Sequence, residues 1–146
     1  MEHIKVANLY IATLQSLAII QTHCHWLTRG NTFYGDHLLF ERIYKNTLED
    51  LDLAAEKLIG LFGDAALDYD TQTELLHKVL GKYSKLEGSP THQILAAEKD
   101  FLKLSQQFYD ILAEGKDLLS LGLDDALMSI ASRHEENTYL LKQRLK

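Results

Sequence analysis

Apolar residues recur at intervals of three and four along almost the whole chain, and this spacing constrains the fold more than any other feature. One face of a helix repeats at these intervals, whereas a half-buried strand alternates at every second residue. The 146 residues include a single proline, Pro90, and few strand signals. The sequence therefore predicts an all-α protein that forms one domain, residues 1–146.

Turn and capping signals divide the periodic stretches into separate helices. Four long helices are expected over residues 4–28, 34–61, 89–115 and 123–145, with a short one over 71–80. Gly30 lies in the break after the first helix, and Ser89 with Pro90 marks the start of the third, as N-cap and first helical residue. Thr71 and Glu74 have the spacing of a capping box. The long connection between the second and third long helices predicts a ferritin-like four-helix bundle with an extra helix in the crossover.

Charge and cysteine content narrow the range of functions. The formal net charge of −6 disfavours binding to DNA, which needs a surplus of Lys and Arg on some face. The single cysteine, Cys24, cannot form an internal disulfide and is expected to be a small packed side chain. The apolar stretch 4–20 is interrupted by Lys5, Asn8 and Gln15, which disfavours a membrane span or signal peptide. The chain is therefore expected to be cytoplasmic.

The second long helix has more apolar surface than one bundle can bury. With Tyr44 as the reference at about 100° per residue, one stripe of side chains lies within about 40° of it. The predicted core stripe consists of Phe40, Leu48, Leu51, Ala55, Leu58 and Phe62. Leu38, Leu39 and Leu53 lie on the far side, where a lone bundle would expose them to water. Excess apolar surface of this kind indicates an oligomer.

Two histidines and a glutamate meet the requirements of a metal site at the turn between the first two helices. His25 comes just before the turn and His37 just after it, so an antiparallel hairpin places them at the same end. Glu41 is four residues beyond His37, on the same face. Two imidazoles and a carboxylate converging there would suit Fe(II), Zn or another divalent first-row ion. His23 is two residues from His25, about 200° round the helix, and does not join them.

A second pair of acids, Asp52 and Glu56, lies farther along the same helix. Read alone, two acids at this spacing are usually a solvated face. Glu41 and Asp52 are eleven residues apart, about 16 Å of helix rise, so both cannot ligate one ion from one straight helix. Each chain would then hold two half-sites, His25/His37/Glu41 and Asp52/Glu56. A two-fold dimer would bring the first half of one chain to the second half of its partner, twice.

The hairpin resembles the signature of the Dps family of miniferritins, the DNA-protection-during-starvation proteins. The matching pattern is HWxxxGxxFxxxHxxFE over residues 25–41, followed by DxxAEK over residues 52–57. The family commonly has Asp where this chain has Glu41, and Arg where it has Lys57. The resemblance covers residues 14–63 well and continues weakly in the last helix.

The resemblance implies a shell of twelve four-helix subunits that oxidises iron between two-fold-related subunits and stores it as a ferric mineral. Hydrogen peroxide is the usual oxidant in the family, and dioxygen is the alternative. The ligands carried over from the family are His25, His37, Glu41, Asp52 and Glu56, with Trp26 as the aromatic residue beside the site. The implied metal is iron, Fe²⁺ and Fe³⁺, with zinc as another divalent ion for the same ligands. DNA-binding members use a Lys/Arg-rich tail, and DNA binding is not expected to carry over to this chain.

Two other functions stay open from the sequence. The same bundle could be a structural or assembly protein that has lost iron oxidation. A di-iron bundle within one subunit is disfavoured, because such bundles carry two E-x-x-H motifs on long helices. This chain has one copy, Glu74 to His77, on the short helix. His134 is expected to be a core or capping histidine, like three others: His3, His77 and His92.

Overall fold

The structure, a computed structural model, describes all 146 residues and contains only helices. The helices are α1 Glu2–Leu27, α2 Phe33–Phe62, α3 Tyr69–Tyr83, α4 Pro90–Glu114 and α5 Leu121–Arg144, with a 3₁₀ turn at Asp64–Leu67. This confirms the all-α prediction, four long helices and one short helix in the crossover. The 3₁₀ turn was not predicted.

The four long helices form an antiparallel bundle in which α1 is central. α1 packs against α2, α4 and α3, while α5 packs mainly against α4 and also against α2. The crossover of the 3₁₀ turn and α3 connects opposite ends of the bundle. Tyr10 of α1 lies at the centre, with its ring centroid 5.2 Å from those of Phe101 and Phe108 on α4.

Side-chain caps fix where three helices begin. Ser89 caps α4 by accepting a hydrogen bond from the His92 N–H, as predicted, and Ser120 caps α5 in the same way. The capping box predicted at Thr71 is wrong, because α3 begins two residues earlier. Asp68, in extended conformation, is its cap and accepts from both the N–H and the hydroxyl of Thr71 at 3.0 and 2.6 Å.

The buried face of α2 differs from the predicted stripe. Its buried residues are Phe40, Ile43, Thr47, Asp50, Ala54 and Leu58. The centre of this face is rotated by about 70° from Tyr44. Leu48, predicted in the core, is 48 % exposed. The prediction failed because it counted only apolar residues, whereas Thr47 and Asp50 occupy core positions and Asp50 forms an ion pair there with Arg133.

Several apolar residues of α2 lie outside its buried face. Leu38 and Leu53 are exposed, as predicted. Leu39 is instead partly buried against the core, which corrects the prediction for that residue. Three other members of the predicted stripe lie half-buried at the edge of the core: Leu51, Ala55 and Phe62.

Two features of α1 test the sequence predictions about a membrane span and about Cys24. By length and composition α1 could cross a membrane, but 61 % of its apolar stretch is buried inside the bundle, as in a central core helix. Cys24 is a free, buried thiol whose Sγ lies 3.7 Å from the Pro90 carbonyl oxygen. It is a packed side chain, as predicted.

Candidate metal centre

The turn between α1 and α2 brings two histidines face to face. Thr28, in extended conformation, ends α1. Gly30 has a φ of +90°, in the left-handed region that glycine adopts without strain, and the chain reverses direction there. α2 begins at Phe33. His25 in the last turn of α1 therefore lies against His37 in the second turn of α2, as predicted.

The two histidines hold each other through reciprocal hydrogen bonds. His25 Nδ1 lies 2.7 Å from the His37 carbonyl oxygen, and His37 Nδ1 lies 2.9 Å from the His25 carbonyl oxygen. Their rings stack with centroids 3.7 Å apart and planes 17° apart. A carbonyl only accepts, so each Nδ1 carries a proton and donates, which leaves the Nε2 lone pair free in the neutral ring. Metal-ligating histidines are commonly oriented in this way.

Aromatic rings enclose this pair on both sides. Phe33 stacks on His37 with centroids 5.0 Å apart, and the Tyr44 ring meets His25 edge-on at 5.3 Å. His25 is only 7 % exposed, whereas His37 is half-buried and reaches the surface. The rings restrict rotation of both imidazoles, so the two Nε2 atoms are held in place before any ligand arrives.

Trp26 follows His25 in sequence but points elsewhere. Its side chain is 65 % exposed, and its ring centroid lies 5.4 Å from that of His23. His23 does not take part in the histidine pair, as predicted from its position on the helix. Trp26 is therefore a neighbour of the pair along the chain and not part of its wall.

The end of α5 fixes the start of α2 beside the pair. Asp36 Oδ1 accepts from Arg144 through Nε at 2.8 Å and Nη2 at 2.6 Å, and Asp36 Oδ2 accepts from the Thr32 hydroxyl at 2.8 Å. A Cβ at Gly35 would lie 3.4 Å from the Arg144 guanidinium, in van der Waals contact with it. Because Asp36 precedes His37, the contact sets the position of the helix turn that carries His37.

Glu41 does not join the histidines within the chain. Its Oε1 lies 3.3 Å from Lys45 Nζ, one turn farther along α2. No three His, Cys, Asp or Glu side chains of the single chain lie together in a group that could hold a metal ion. The three-residue convergence expected at this turn is therefore not formed; two of the five predicted ligands are brought together.

Asp52 and Glu56 lie on the surface and form no ion pair within the chain. With Glu41, they lie between about 130° and 190° from the centre of the buried face of α2. Exposed apolar side chains share this face: Tyr34, Leu38, Leu48 and Ile59. We call it the outer face of α2. It combines carboxylates with apolar surface that the single chain leaves uncovered.

A second polar cluster, which the sequence did not predict, lies at the centre of the bundle. His134 of α5 is fully buried between two carboxylates, with Nδ1 2.6 Å from Glu98 Oε2 and Nε2 3.2 Å from Asp50 Oδ2. Glu98 Oε1 also accepts from Gln21 Nε2 at 2.8 Å and Asn137 Nδ2 at 3.1 Å. All four long helices contribute to this cluster, which we call the central polar cluster.

The central polar cluster holds its histidine in the charged state. Burial alone would lower the pKa of His134, but the charge of Glu98 and the hydrogen bonds to Asp50 and Glu98 outweigh it and raise the pKa to about 9. Arg133 donates from Nε to Asp50 Oδ1 at 2.6 Å. The cluster therefore contains two negative and two positive groups, and both nitrogens of His134 are engaged.

One sequence signal could have revealed this cluster. Asp50, Glu98 and His134 each occupy a position where the helical period places a buried residue, with apolar core residues three or four positions away. A single polar residue in an otherwise apolar stripe indicates a buried hydrogen-bonded group. Counting only apolar residues removes this signal.

Comparison with known proteins finds one relative over nearly the whole chain and another over less than half of it. No protein-family model matches the sequence. General stress protein 20U of Bacillus subtilis (strain 168) is 25 % identical over 146 residues, which covers 97 % of this chain and 96 % of that protein. An uncharacterized protein in the bpoA2 5′ region of Kitasatospora aureofaciens is 39 % identical over 61 residues, 42 % of this chain and 41 % of that protein.

A solved structure shares the fold. The X-ray structure of Dps from Thermosynechococcus elongatus matches with a TM-score of 0.82 and 20 % identity, over 99 % of this chain and 90 % of that chain. The chain therefore has the ferritin-like four-helix bundle of Dps, with the extra helix in the crossover. This confirms the fold class predicted from the sequence.

Proposed function

We propose that the chain is an iron-oxidising and iron-storing miniferritin. It would oxidise Fe(II) with hydrogen peroxide, or with dioxygen, at sites between subunits, and store ferric mineral in a closed shell of twelve. The observation that carries this proposal is the reciprocal hydrogen bonding of His25 and His37, which leaves two neighbouring Nε2 atoms free for a metal ion. The Dps fold and the similarity to a general stress protein support it.

The proposed metal ligands would come from both subunits of a two-fold interface. His25 and His37 would bind the ferrous ion through Nε2, and Glu41 would turn from Lys45 towards the metal. Asp52 and Glu56 of the partner subunit would complete the ligand set. Each Fe(II) gives up one electron and hydrogen peroxide accepts two, so two ferrous ions and two protons convert one peroxide into two waters. Removing peroxide in this way protects against oxidative damage.

The placement of the acids favours a site shared between subunits. Glu41 and Asp52 are separated by about 16 Å of helix rise, too far for one ion. Both lie on the outer face of α2, where Leu38 and Leu48 are also exposed. Covering this face with the same face of a second copy, in antiparallel orientation, would bury the leucines and bring the acids of one chain to the histidines of the other.

A structural or assembly bundle without iron oxidation is the second candidate. The ion pair between Glu41 and Lys45, which engages one of the proposed ligands, favours it. Trp26, the only tryptophan, offers a way to separate the two. Anaerobic Fe(II) should quench Trp26 fluorescence, saturating near one or two ions per subunit, and peroxide should then oxidise the bound iron. No quenching and no oxidation would favour the assembly protein.

The decisive experiment is complementation in mixed shells. His25→Ala/His37→Ala and Asp52→Ala/Glu56→Ala should each abolish rapid peroxide-driven iron oxidation while leaving the fold intact. If the two variants are dissociated, mixed equally and reassembled, half of the two-fold pairs unite unlike chains, and each unlike pair has one intact site of two. Oxidation should recover to about a quarter of the wild-type rate.

A matched control mixes variants that are altered in the same half-site. Shells assembled from His25→Ala chains and His37→Ala chains contain no intact site in any pair, so they should stay inactive. Wild-type shells taken through the same reassembly should recover. If the complementing mixture remains as inactive as this control while the wild type recovers, the site is not shared between subunits.

A further inference from the structure

The contacts between α2 and α5 include four ion pairs of very different burial. Asp36–Arg144 and Arg42–Glu136 lie at or near the surface, whereas Asp50 with Arg133 and His134 lies towards the interior. Exposed pairs contribute little to stability because water screens them. A buried pair must be matched by hydrogen bonds, since an unpaired charge there is strongly unfavourable. The fit of α5 against α2 therefore depends most on the central polar cluster.

With both neighbouring carboxyls ionised, the geometry around His134 admits only one protonation state of the imidazole without conflict. Glu98 Oε2 faces Nδ1 and Asp50 Oδ2 faces Nε2, and a carboxylate oxygen accepts hydrogen bonds. A neutral imidazole has one N–H, so its other nitrogen would turn a lone pair towards a carboxylate. We propose that one proton held on His134 between Asp50 and Glu98 locks α5 to α2 and α4, and that the bundle loosens when alkali removes this proton.

The other helices supply no charge that could replace this proton. On α2 the charged group is Asp50, and on α4 it is Glu98. On α5, Arg133 is already paired with Asp50. α1 contributes only the Gln21 amide and the Tyr10 hydroxyl, whose pKa is raised by burial and then by the charge of Asp50, so it stays neutral. Loss of the proton would leave the cluster with one uncompensated negative charge.

The direction of the pH effect follows from this arrangement. The pKa of His134 is raised to about 9 in the folded bundle, against about 6.5 for a histidine in an unfolded chain. Its contribution to stability is fully present below about pH 6.5 and is lost as the pH rises through about 9. Between these values folding takes up one proton, so the unfolding equilibrium constant rises by about tenfold per pH unit.

Urea unfolding of the full-length protein between pH 6.5 and 9.5, at one protein concentration, tests the lock. His134→Gln keeps a donor for only one of the two carboxylates and should be less stable than the wild type at pH 7. The ratio of the two unfolding constants should shrink about tenfold per pH unit up to pH 9 and then level off. The matched control is His77→Gln, an exposed histidine on α3, which should follow the wild type. A ratio that does not change with pH would overturn the proposal.

Neutron diffraction of wild-type crystals near pH 7.5 in heavy water tests the same proton directly. We expect deuterium on both Nδ1 and Nε2 of His134. A single deuterium on His134 would overturn the proposal, even if His134→Gln fails to fold. The lock is independent of metal chemistry, so iron oxidation can fail or succeed without changing this result.

Discussion

The histidine pair at the α1–α2 turn and the buried histidine at the bundle centre differ in the hydrogen-bond acceptors that surround them. His25 and His37 each face one carbonyl oxygen and keep one nitrogen free. His134 faces a carboxylate on each side and has no free nitrogen. The number and charge of the acceptors around an imidazole, more than its depth, therefore decide whether it can bind a metal or only stabilise the fold.

The two regions also differ in what they leave unfinished. The central polar cluster is balanced in charge, and its histidine has no remaining capacity for a ligand. The turn pairs only His25 and His37 and leaves their Nε2 atoms without partners. Asp52 and Glu56 lie unpaired on the outer face of α2. A satisfied network stabilises a unique core, whereas an unsatisfied but oriented one is suited to binding. Substitutions in each of the two regions test this contrast.

The largest loss of stability is expected from a substitution in the central polar cluster. Asp50→Ala removes one partner of a buried ion network and leaves Arg133 unpaired and His134 with Glu98 alone, which should lower the free energy of unfolding by about 3–5 kcal/mol. Asp52→Ala, two residues along the same helix but exposed, should change it by less than about 0.5 kcal/mol. Chemical denaturation of both variants measures the difference. Equal losses would show that the centre is no more important to stability than the surface.

Acid should act on the turn and leave the centre intact. Metal binding requires the Nε2 lone pairs of His25 and His37, so Zn²⁺ affinity should fall in acid by up to about a hundredfold per pH unit when both protons compete. Calorimetric titration with Zn²⁺ between pH 5 and 7.5 measures this affinity. The charged His134 lock persists over the same range. Affinity that is independent of pH would remove the histidines from the site.

A smaller effect is expected where the end of α5 holds the start of α2. Arg144→Ala frees Asp36 and should weaken Zn²⁺ binding by about three- to tenfold, less than direct partners of metal ligands because it acts through the residue before His37. Arg144→Lys keeps the charge but loses the two-nitrogen contact, so its affinity should be intermediate. Lys142→Ala, exposed in the same turn, is the control. If it weakens binding as much as Arg144→Ala, the contact has no positioning role.

The smallest effect is expected between the two regions. Arg42 and Glu136 form an ion pair whose side chains are 58 % and 55 % exposed. In chemical denaturation, Arg42→Ala should therefore lower the free energy of unfolding by less than about 1 kcal/mol. A loss as large as that of Asp50→Ala would mean that the whole contact between α2 and α5 is held by charge, and not mainly by its buried part.

Local signals in the sequence predicted the helices and the hairpin well. Ser89 and Pro90 marked the start of α4 because a cap depends on a few adjacent residues. The contact between His25 and His37 was predictable because two helices joined by a short turn pack side by side in antiparallel orientation. The histidine pair therefore needed only the helix ends and the turn length.

Long-range choices were not predictable from one sequence. The buried face of α2 lies about 70° from the predicted one and includes Asp50, whose partners Arg133 and His134 come from a helix more than eighty residues away. The failure at Glu41 is different: in the single chain its carboxylate lies 3.3 Å from Lys45 Nζ on its own helix and not with the histidines. Pairing between distant helices and rotamer choice both lie outside what periodicity encodes.

The packed thiol of α1 has a practical consequence for all of these experiments. Burial raises the pKa of Cys24 to about 11, so only about one molecule in ten thousand carries the reactive thiolate near pH 7. Hydrogen peroxide and alkylating reagents attack the thiolate, so this cysteine should remain unmodified during peroxide-driven turnover. Copies of the chain will not cross-link through it. Iron oxidation can therefore be followed in buffers free of dithiothreitol, which would otherwise reduce ferric iron and consume the oxidant.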